Sequence, residues 1–248
     1  MSDLVATIRE RYLRTLDQIA TVAQKSNRDP NTIRLVVVTK TQPLEIIQAA
    51  IDAGITTFGE NYPEEGVMKI QSLQYQGGLE WHMIGHVQSR KAALIPNHFA
   101  LLHSLDSLKL AQRLNRFAVE QNCTLPVLLE FNVGGEQTKS GWDASSIENW
   151  EAFLPDIHSV LELKNLRVRG LMTMPPLESD MENARRYFRQ LRLLRDQLAL
   201  THLETDWHEL SMGTSSDYLI AIEEGATIVR VGTAIVGERR YKPEQEPA

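Results

Sequence analysis

The sequence predicts a single (β/α)8 barrel with one additional helix before the first strand, and three observations lead to this fold class. Short runs rich in aliphatic and β-branched residues alternate with amphipathic segments along the chain. There are eight such runs, and this alternation produces parallel strands joined by right-handed crossovers. The length of 248 residues suits one barrel of about 250 residues. An open doubly wound sheet is the alternative, but no Gly-x-Gly-x-x-Gly turn follows the first strand.

The predicted strands are short, apolar and bounded by turn residues, as expected for strands that are buried on both faces. They cover residues 35–40, 55–58, 81–86, 99–104, 126–133, 168–172, 207–212 and 227–231. Before them, apolar residues recur at steps of three and four, which predicts an amphipathic helix. Its apolar positions are Val5, Ile8, Tyr12, Leu16, Ile19 and Ala23.

Helix signals separate the strands in order. A helix begins after Pro43, carries Ile46, Ile47, Ala50 and Ile51 on its apolar face and ends at Gly54. Further helices are expected over 64–73 and 88–95, after the N-caps Asp106 and Asp180, and before Gly225. A looser segment covers 137–142, and the helical region after it should be interrupted at Pro155. We expect one domain over residues 1–241 and a disordered polar tail at 242–248.

Composition and charge argue against several classes of function. The formal net charge is −6 and no long basic block is present, which argues against a nucleic-acid or anionic-membrane surface. The single cysteine, Cys123, leaves no pair for an intramolecular disulfide and no thiolate cluster for zinc. No apolar stretch is long enough to span a membrane, and residues 1–11 lack the apolar region of a signal peptide. A soluble cytoplasmic protein is therefore expected.

Lys40 stands where the first predicted strand gives way to its loop. Ligands collect at this carboxyl edge of the strands in α/β proteins. An amine in a desolvated pocket loses its proton more readily than one in water, which would make Lys40 a usable nucleophile. Taken alone, a lysine at a strand end is more often a solvated strand terminus. The residues at the other strand ends must therefore distinguish a nucleophilic lysine from a solvated strand terminus.

Two turns rich in hydroxyl groups follow the last two predicted strands. They are Ser211-Met212-Gly213-Thr214-Ser215-Ser216 and Gly232-Thr233. Backbone N–H groups and hydroxyl donors suit a phosphate dianion, and barrels commonly bind phosphate in these loops. Ordinary N-capping is the alternative for each turn, but it is the weaker interpretation of two such turns beside a strand-end lysine. An amine, a phosphate cradle and no metal cluster together indicate pyridoxal 5'-phosphate (PLP).

Arg230 adds a third expected contact. It lies just before Gly232 and should face inward at about the height of the cofactor's pyridine nitrogen. A guanidinium can only donate hydrogen bonds, so it disfavours a protonated ring, and an unprotonated ring is a poorer electron sink. The alternative is that Arg230 pairs with a barrel carboxylate such as Glu130 or Glu209.

Collinear motifs between about Leu35 and Gly237 carry a resemblance to a known family. Among them are Val37-Val38-Thr39-Lys40-Thr41-Gln42-Pro43, Phe58-Gly59-Glu60-Asn61-Tyr62, Trp81-His82-Met83-Ile84-Gly85, Leu210-Ser211-Met212-Gly213 and Val229-Arg230-Val231-Gly232-Thr233. They resemble the pyridoxal phosphate homeostasis protein family, whose barrel is similar to the N-terminal domain of alanine racemase, the type III fold of PLP proteins.

The resemblance implies an intracellular protein of vitamin B6 and amino-acid homeostasis that holds PLP as an imine on Lys40. It implies phosphate contacts around Ser211, Gly213, Gly232 and Thr233, with Arg230 near the ring nitrogen and Asn61 and Met212 near the ring. The family is not known for a firm catalytic activity, so we expect a cofactor carrier and no enzyme. Apo-forms of PLP enzymes would be its partners, and a monomer is expected.

Two rival classes of function remain. A small amino-acid racemase or lyase would need an acid and a base on opposite faces of the bound substrate. Alanine-racemase-like enzymes take the second base, a tyrosine, from an additional β domain, and eight βα units leave no chain to build one. Tyr62 and Tyr218 are the tyrosines expected near the mouth, where rim or packing roles suit them better. A pure protein-interaction partner would need neither Lys40 nor the phosphate turns.

Overall fold

The computed structural model describes residues 2–73, 77–176, 178 and 180–238. The predicted tail at 242–248 and the predicted domain boundary at residue 241 lie outside these residues. Within them, the strands in chain order are β1 (Arg34–Val38), β2 (Thr57–Glu60), β3 (Glu80–Met83), β4 (Leu101–Leu105), β5 (Leu125–Asn132), β6 (Trp142–Asp143), β7 (Leu166–Met172), β8 (Glu209–Ser211) and β9 (Ile228–Val231).

Eight of these strands close into a parallel barrel, which confirms the predicted fold class. The order around the ring is β4-β3-β2-β1-β9-β8-β7-β5, and pairing of β4 with β5 closes it. The two-residue strand β6 pairs with β5 outside the ring. Counted in either direction, β5 lies four strands from β1. The carboxyl ends of β1 and β5 therefore face each other across the barrel mouth.

Helices surround the ring, and the long helix before β1 is confirmed. They are α1 (Ser2–Lys25), α2 (Leu44–Asp52), α3 (Pro63–Ser72), α4 (Leu108–Glu120), α5 (Trp150–Leu161), α6 (Arg185–Thr201), α7 (Tyr218–Glu223) and α8 (Thr233–Val236). Short 3-10 segments lie at Pro30–Thr32, Ser89–Leu94, Ile147–Asn149 and Met181–Ala184. The helix predicted over 88–95 is thus a 3-10 segment.

The apolar core has two layers, as expected for strands covered on both faces. The larger layer lies between the sheet and the helices, where α6 buries Phe188, Leu191, Leu194 and Leu198. The smaller layer fills the barrel interior and consists of Val36, Leu101, Leu128, Met172 and Ile228. Above this inner layer the interior becomes polar, and the candidate site begins there.

Two of the predicted element starts were wrong for reasons that the hydrogen bonds show. The N-cap of α4 is Ser107, whose hydroxyl accepts the Leu110 N–H, and Asp106 instead contacts His86. Strand β2 begins two residues later than predicted, because the N–H of Ile55 still bonds back to Ala50 at the end of α2.

The helical region around Pro155 is not interrupted, in contrast to the prediction. Helix α5 runs through Pro155, which lacks the N–H that a helix interior requires. The helix buries Phe153, Ile157 and Val160. We attribute the continuity of the helix to this packing, which outweighs a cost of about 3 kcal/mol for an interior proline.

Candidate functional site

A cavity of about 470 Å³ opens at the carboxyl ends of the barrel strands. Its walls carry Val38, Lys40, Asn61, Ile84, Gly85, His86, Glu130, Met174, Thr214, Ser215, Ser216, Arg230, Gly232 and Thr233. Five of the predicted site residues are therefore brought together: Lys40, Asn61, Arg230, Gly232 and Thr233. The volume falls within the range of ordinary small-molecule pockets, about 300–1,000 Å³.

The alternation of strand side chains directs Lys40 into this cavity. Residues two apart share one face of a strand. Val36 belongs to the inner apolar layer and Val38 lines the cavity, so Lys40 continues the same inward face just beyond β1. The lysine is half-buried. It is therefore not the fully solvated strand terminus of the alternative interpretation.

A buried ion cluster fixes the backbone on both sides of Lys40. The Lys69 ammonium donates to the Thr39 carbonyl at 2.8 Å and to Glu60 Oε1 at 2.8 Å, and it lies 2.6 Å from Glu65 Oε1. The same Glu65 oxygen accepts the N–H of Thr41 at 2.7 Å. Lys69 and Glu60 are almost completely buried. Burial raises the pKa of Glu60, and the Lys69 charge opposes that rise.

The same turn holds a strained residue. Thr41 has φ of +61°, a left-handed conformation that is unfavourable for a β-branched side chain. Strain of this kind persists only where surrounding contacts enforce it. Here the Glu65 carboxylate and Lys69 supply those contacts, so the direction of Lys40 is set by residues of β2 and α3 as well as by its own strand.

Arg230 lies at the floor of the cavity and is almost completely buried. Its Nη1 donates to Ser211 Oγ at 2.5 Å, and its Nη2 donates to the Thr173 carbonyl at 2.9 Å and contacts Met174 Sδ at 2.8 Å. Burial lowers the pKa of Arg230 to about 10, and the charges of Asp217 and Glu130 oppose that shift. Arg230 therefore stays a cation at neutral pH, and the predicted inward orientation is confirmed.

Ser211 connects Arg230 to two buried histidines in the barrel. Since Arg230 is a donor only, Ser211 accepts from it and donates its own proton to His103 Nδ1 at 2.8 Å. His103 must then carry its proton on Nε2, which lies 2.9 Å from His82 Nδ1. Burial holds the pKa of His103 well below its usual range, and the charges of His82 and Arg230 lower it further. Ser211 and the neutral His103 therefore form a directed hydrogen-bond chain that orients the guanidinium.

The turns after β8 and β9 meet at the opposite side of the cavity from β4. Thr214, Ser215 and Ser216 come from the first turn, and Gly232 and Thr233 come from the second. The N–H of Gly232 points at Ser215 Oγ at 3.3 Å, and Asp217 accepts the N–H of Thr214 at 2.6 Å. A side chain at Gly232 would lie 3.1 Å from the Val38 carbonyl oxygen. The predicted turns thus form one surface of hydroxyl and backbone donors.

Three predicted contact residues do not lie on the cavity wall. Ser211 and Met212 are completely buried, and the hydroxyl of Ser211 is engaged by Arg230 and His103. Gly213 has φ of +91°, and a Cβ there would lie 2.8 Å from Tyr218 Cα. It is a close-packing position beneath α7. The hydroxyl groups that reach the cavity are those of the next residues, Thr214, Ser215 and Ser216.

Glu130 and His86 are cavity residues that the sequence interpretation did not assign to the site. Glu130 Oε2 and Asn61 Oδ1 are both buried without a hydrogen-bond partner among the described residues. Burial raises the pKa of Glu130 to about 7, the Asp106 charge adds to the rise and Arg230 opposes it. An acidic residue within the apolar run of β5 was the signal that could have identified Glu130.

The tyrosines expected near the mouth do not line the cavity. Tyr62 is half exposed, whereas Tyr218 is buried and its hydroxyl donates to Gln18 of α1 at 2.8 Å. No group of three or more His, Cys, Asp or Glu residues that could hold a metal ion occurs in the described part of the chain. Within the same residues, no helix has the length and apolar character to cross a membrane.

Comparison with known proteins gives the family. Residues 15–240 match the family model described as alanine racemase, N-terminal domain. The chain is 40% identical over 232 residues to the pyridoxal phosphate homeostasis protein of Aquifex aeolicus (strain VF5), covering 94% of this chain and 98% of the relative. It is 41% identical over 231 residues to the protein of the same name from Escherichia coli (strain K12), covering 91% and 94%.

Among solved structures, PipY of Synechococcus elongatus PCC7942 with PLP bound superposes with a TM-score of 0.77 at 33% identity, over 93% of this chain and 100% of that chain. Fold, length and sequence thus agree across these relatives. The chain belongs to the alanine racemase N-terminal domain family and, within it, to the pyridoxal phosphate homeostasis proteins.

Proposed function

We propose that this chain binds PLP at the barrel mouth through an imine with Lys40, and that it keeps or hands on the cofactor as part of vitamin B6 and amino-acid homeostasis. One observation carries the proposal: a lysine, a surface of hydroxyl donors and a buried guanidinium share one cavity. The kinship with homeostasis proteins and with a PLP-bound relative supports it. The bound cofactor supplies an aldehyde carbon that exchanges amines.

The residues of the cavity suit each part of that cofactor. Lys40 offers the amine for its aldehyde. Ser215 and Thr233 offer hydroxyl donors for its phosphate, next to the N–H of Gly232. Asn61 presents a buried Oδ1 without a hydrogen-bond partner among the described residues, and a polar ligand would complete this part of the wall. We assign Ser211 a supporting role through Arg230, and we assign Met212 and Gly213 roles in packing.

Arg230 favours a carrier over an amino-acid enzyme. Contacts with Ser211, Thr173 and Met174 hold the guanidinium in place. If the ring nitrogen faces it, the guanidinium can only donate, so the nitrogen stays unprotonated and the ring withdraws electrons less effectively. A racemase would in addition need a second proton donor such as a tyrosine, and neither Tyr62 nor Tyr218 lies in the cavity wall.

The partners and location follow as further parts of the proposal. Apo-forms of PLP enzymes would receive the cofactor, because the mouth of the barrel opens to solvent and an incoming amine can reach it. We expect the chain to act in the cytoplasm and as a monomer.

The holo-protein is expected to transfer PLP to an apo-enzyme without turning over amino acids. The reason is that neither Tyr62 nor Tyr218 lies in the cavity wall to act as the racemase tyrosine, while the open mouth leaves the imine accessible. One sample of holo-protein is incubated with L- and D-alanine and a panel of other amino acids, following enantiomer ratios and α-proton exchange. A second sample is mixed with an apo-form PLP enzyme, following recovery of its activity. Efficient racemisation without transfer of PLP would contradict the carrier function and favour an amino-acid racemase.

Removal of phosphate donors is expected to weaken retention of PLP. Charge-assisted hydrogen bonds contribute about 1.5–3 kcal/mol each. Ser215→Ala combined with Thr233→Val should therefore raise the Kd for PLP at least about tenfold, and native protein should bind pyridoxal, which has no phosphate, much more weakly than PLP. Equilibrium dialysis measures both. Ser159→Ala, on the outer surface of α5, is the control and should leave Kd unchanged. Equal affinity for PLP and pyridoxal would contradict the assigned phosphate surface.

A further inference from the structure

We propose that Glu130 is the acid–base group of this cavity: it binds the ammonium group of an incoming primary amine, takes its proton, and so lets that amine displace Lys40 from the cofactor. The proposal rests on the proposed function, since it concerns how the bound cofactor is released. The ligand class is a primary aliphatic amine, which includes amino acids and lysine side chains.

The position of Glu130 in the barrel suits this role. Glu130 lies near the end of β5 and pairs in register with Met172 of β7. Leu128, two residues earlier on the same face, belongs to the inner apolar layer, so Glu130 also points inward and lines the cavity. Because β5 is four strands from β1 in either direction, Glu130 and Lys40 approach the cavity from opposite sides.

The carboxyl group of Glu130 leaves one oxygen for a ligand. Its Oε2 is buried and has no hydrogen-bond partner among the described residues. Arg230, whose positive charge acts on Glu130, directs its hydrogen bonds to Ser211, Thr173 and Met174 instead. Leaving a buried carboxylate oxygen unpaired is unfavourable. A ligand that supplies N–H donors and a positive charge would remove that penalty, and an alkylammonium group supplies both.

Other charges around Glu130 allow it to take and return a proton near neutrality. Burial and the negative charge of Asp106 raise its pKa to about 7, against the positive charge of Arg230. Lys40 and His86 are the other ionisable groups of the cavity wall, and His86 is paired with Asp106 at 2.7 Å. A group with a pKa near the working pH is the effective general base.

The step that Glu130 would assist is an exchange of one amine for another. The bound ammonium gives its proton to the Glu130 carboxylate, and the resulting neutral amine attacks the imine carbon with its lone pair. With the Lys40 imine in its protonated form, one new C–N bond would form and one proton would pass from the attacking nitrogen to the Lys40 nitrogen. The C–N bond to Lys40 would then break with its electron pair remaining on the Lys40 nitrogen, and the new imine would keep the second proton of the amine. The proton on Glu130 then passes to the released Lys40 amine, which restores the carboxylate. No oxidant or reductant is needed.

The test compares two nucleophiles on holo-protein that carries Glu130→Gln. Methylamine is protonated at neutral pH, like a lysine side chain, and needs a base, whereas methoxyamine is largely neutral and does not. Stopped-flow absorbance follows loss of the Lys40 imine band. We expect displacement by methylamine to slow at least tenfold at neutral pH. The native rate should rise with pH and level off above about 7, whereas the rate of the variant should lose this inflection and follow the concentration of free methylamine. The rate with methoxyamine should stay within about twofold of native. Both rates should also stay within about twofold in the control Glu162→Gln, an exposed residue just after α5.

Equal slowing of both nucleophiles, or of neither, would overturn the proposal while leaving the proposed function intact. A native protein that forms no imine band would instead refute the proposed function. Cofactor-free native protein gives a second measurement if the Gln variant does not fold. In a carbon-13 NMR titration of glutamate carboxyls, methylammonium chloride should lower the pKa of the carboxyl that titrates near 7, whereas tetramethylammonium chloride, which has no N–H donor, should not. An equal response to both salts would overturn the proposal.

Discussion

Lys40→Ala is expected to abolish covalent attachment of PLP while the barrel stays folded. The lysine lies in the cavity wall, and the turn around it is held by Lys69, Glu60 and Glu65 through the backbone of Thr39 and Thr41. We therefore expect the free energy of unfolding to change by no more than about 1 kcal/mol. The native protein should be yellow and show an imine absorption band that survives dialysis. The variant should lack that band.

Reductive trapping locates the bond directly. Treatment of native holo-protein with borohydride, followed by peptide mass spectrometry, should place the added cofactor mass on Lys40. Lys91→Ala is the control, because Lys91 is a surface lysine paired with Glu64, and it should keep both the band and the trapped peptide. A Lys40→Ala protein with the native band and equal resistance to dialysis would show that the lysine assignment is wrong.

Lys69→Met is expected to give the largest loss of stability, about 3–5 kcal/mol in the free energy of unfolding. Lys69 compensates the buried carboxylate of Glu60, and the substitution would leave that charge without its cation. Urea unfolding of the cofactor-free protein measures the effect. Lys91→Met removes the surface ion pair between Lys91 and Glu64 instead and should cost much less stability.

The loss should depend on pH in a defined direction. Burial already raises the pKa of Glu60, and removal of the Lys69 charge should raise it further. A carboxyl whose pKa is higher in the folded than in the unfolded state costs stability as pH rises between those two values. The difference in the free energy of unfolding between native protein and Lys69→Met should therefore shrink as the pH is lowered toward the ordinary pKa of a glutamate carboxyl.

A second variant separates the charge from the packing. Lys69→Met combined with Glu60→Gln should recover part of the lost stability, because it removes the uncompensated charge. A deficit that is the same at all pH values and unchanged by the second substitution would contradict the role given to this cluster. The single variant should also retain PLP less well, since the strained turn at Thr41 loses one of its supports.

The barrel and the inward-facing residues at several strand ends follow from the sequence pattern alone. Strands that alternate with helices can close in few ways, and a period of two assigns each strand residue to a face. Val36, Val38 and Lys40 share one face of the first strand, and Ile228, Arg230 and Gly232 share one face of the last. The local sequence pattern was therefore sufficient to predict that Lys40, Arg230 and Gly232 lie in one cavity.

The depth of each side chain and the partner that it contacts could not be predicted from the sequence and depend on the folded barrel. Ser211 faces inward, yet it lies below the cavity and bonds to His103, 108 residues away in the sequence. Lys69 lies on a helix whose pattern gives no sign that its ammonium is buried between Glu60 and Glu65. Glu130 came to face Lys40 because β5 closes the ring opposite β1. Such contacts depend on the stagger and closure of the whole barrel, which a local sequence period does not encode.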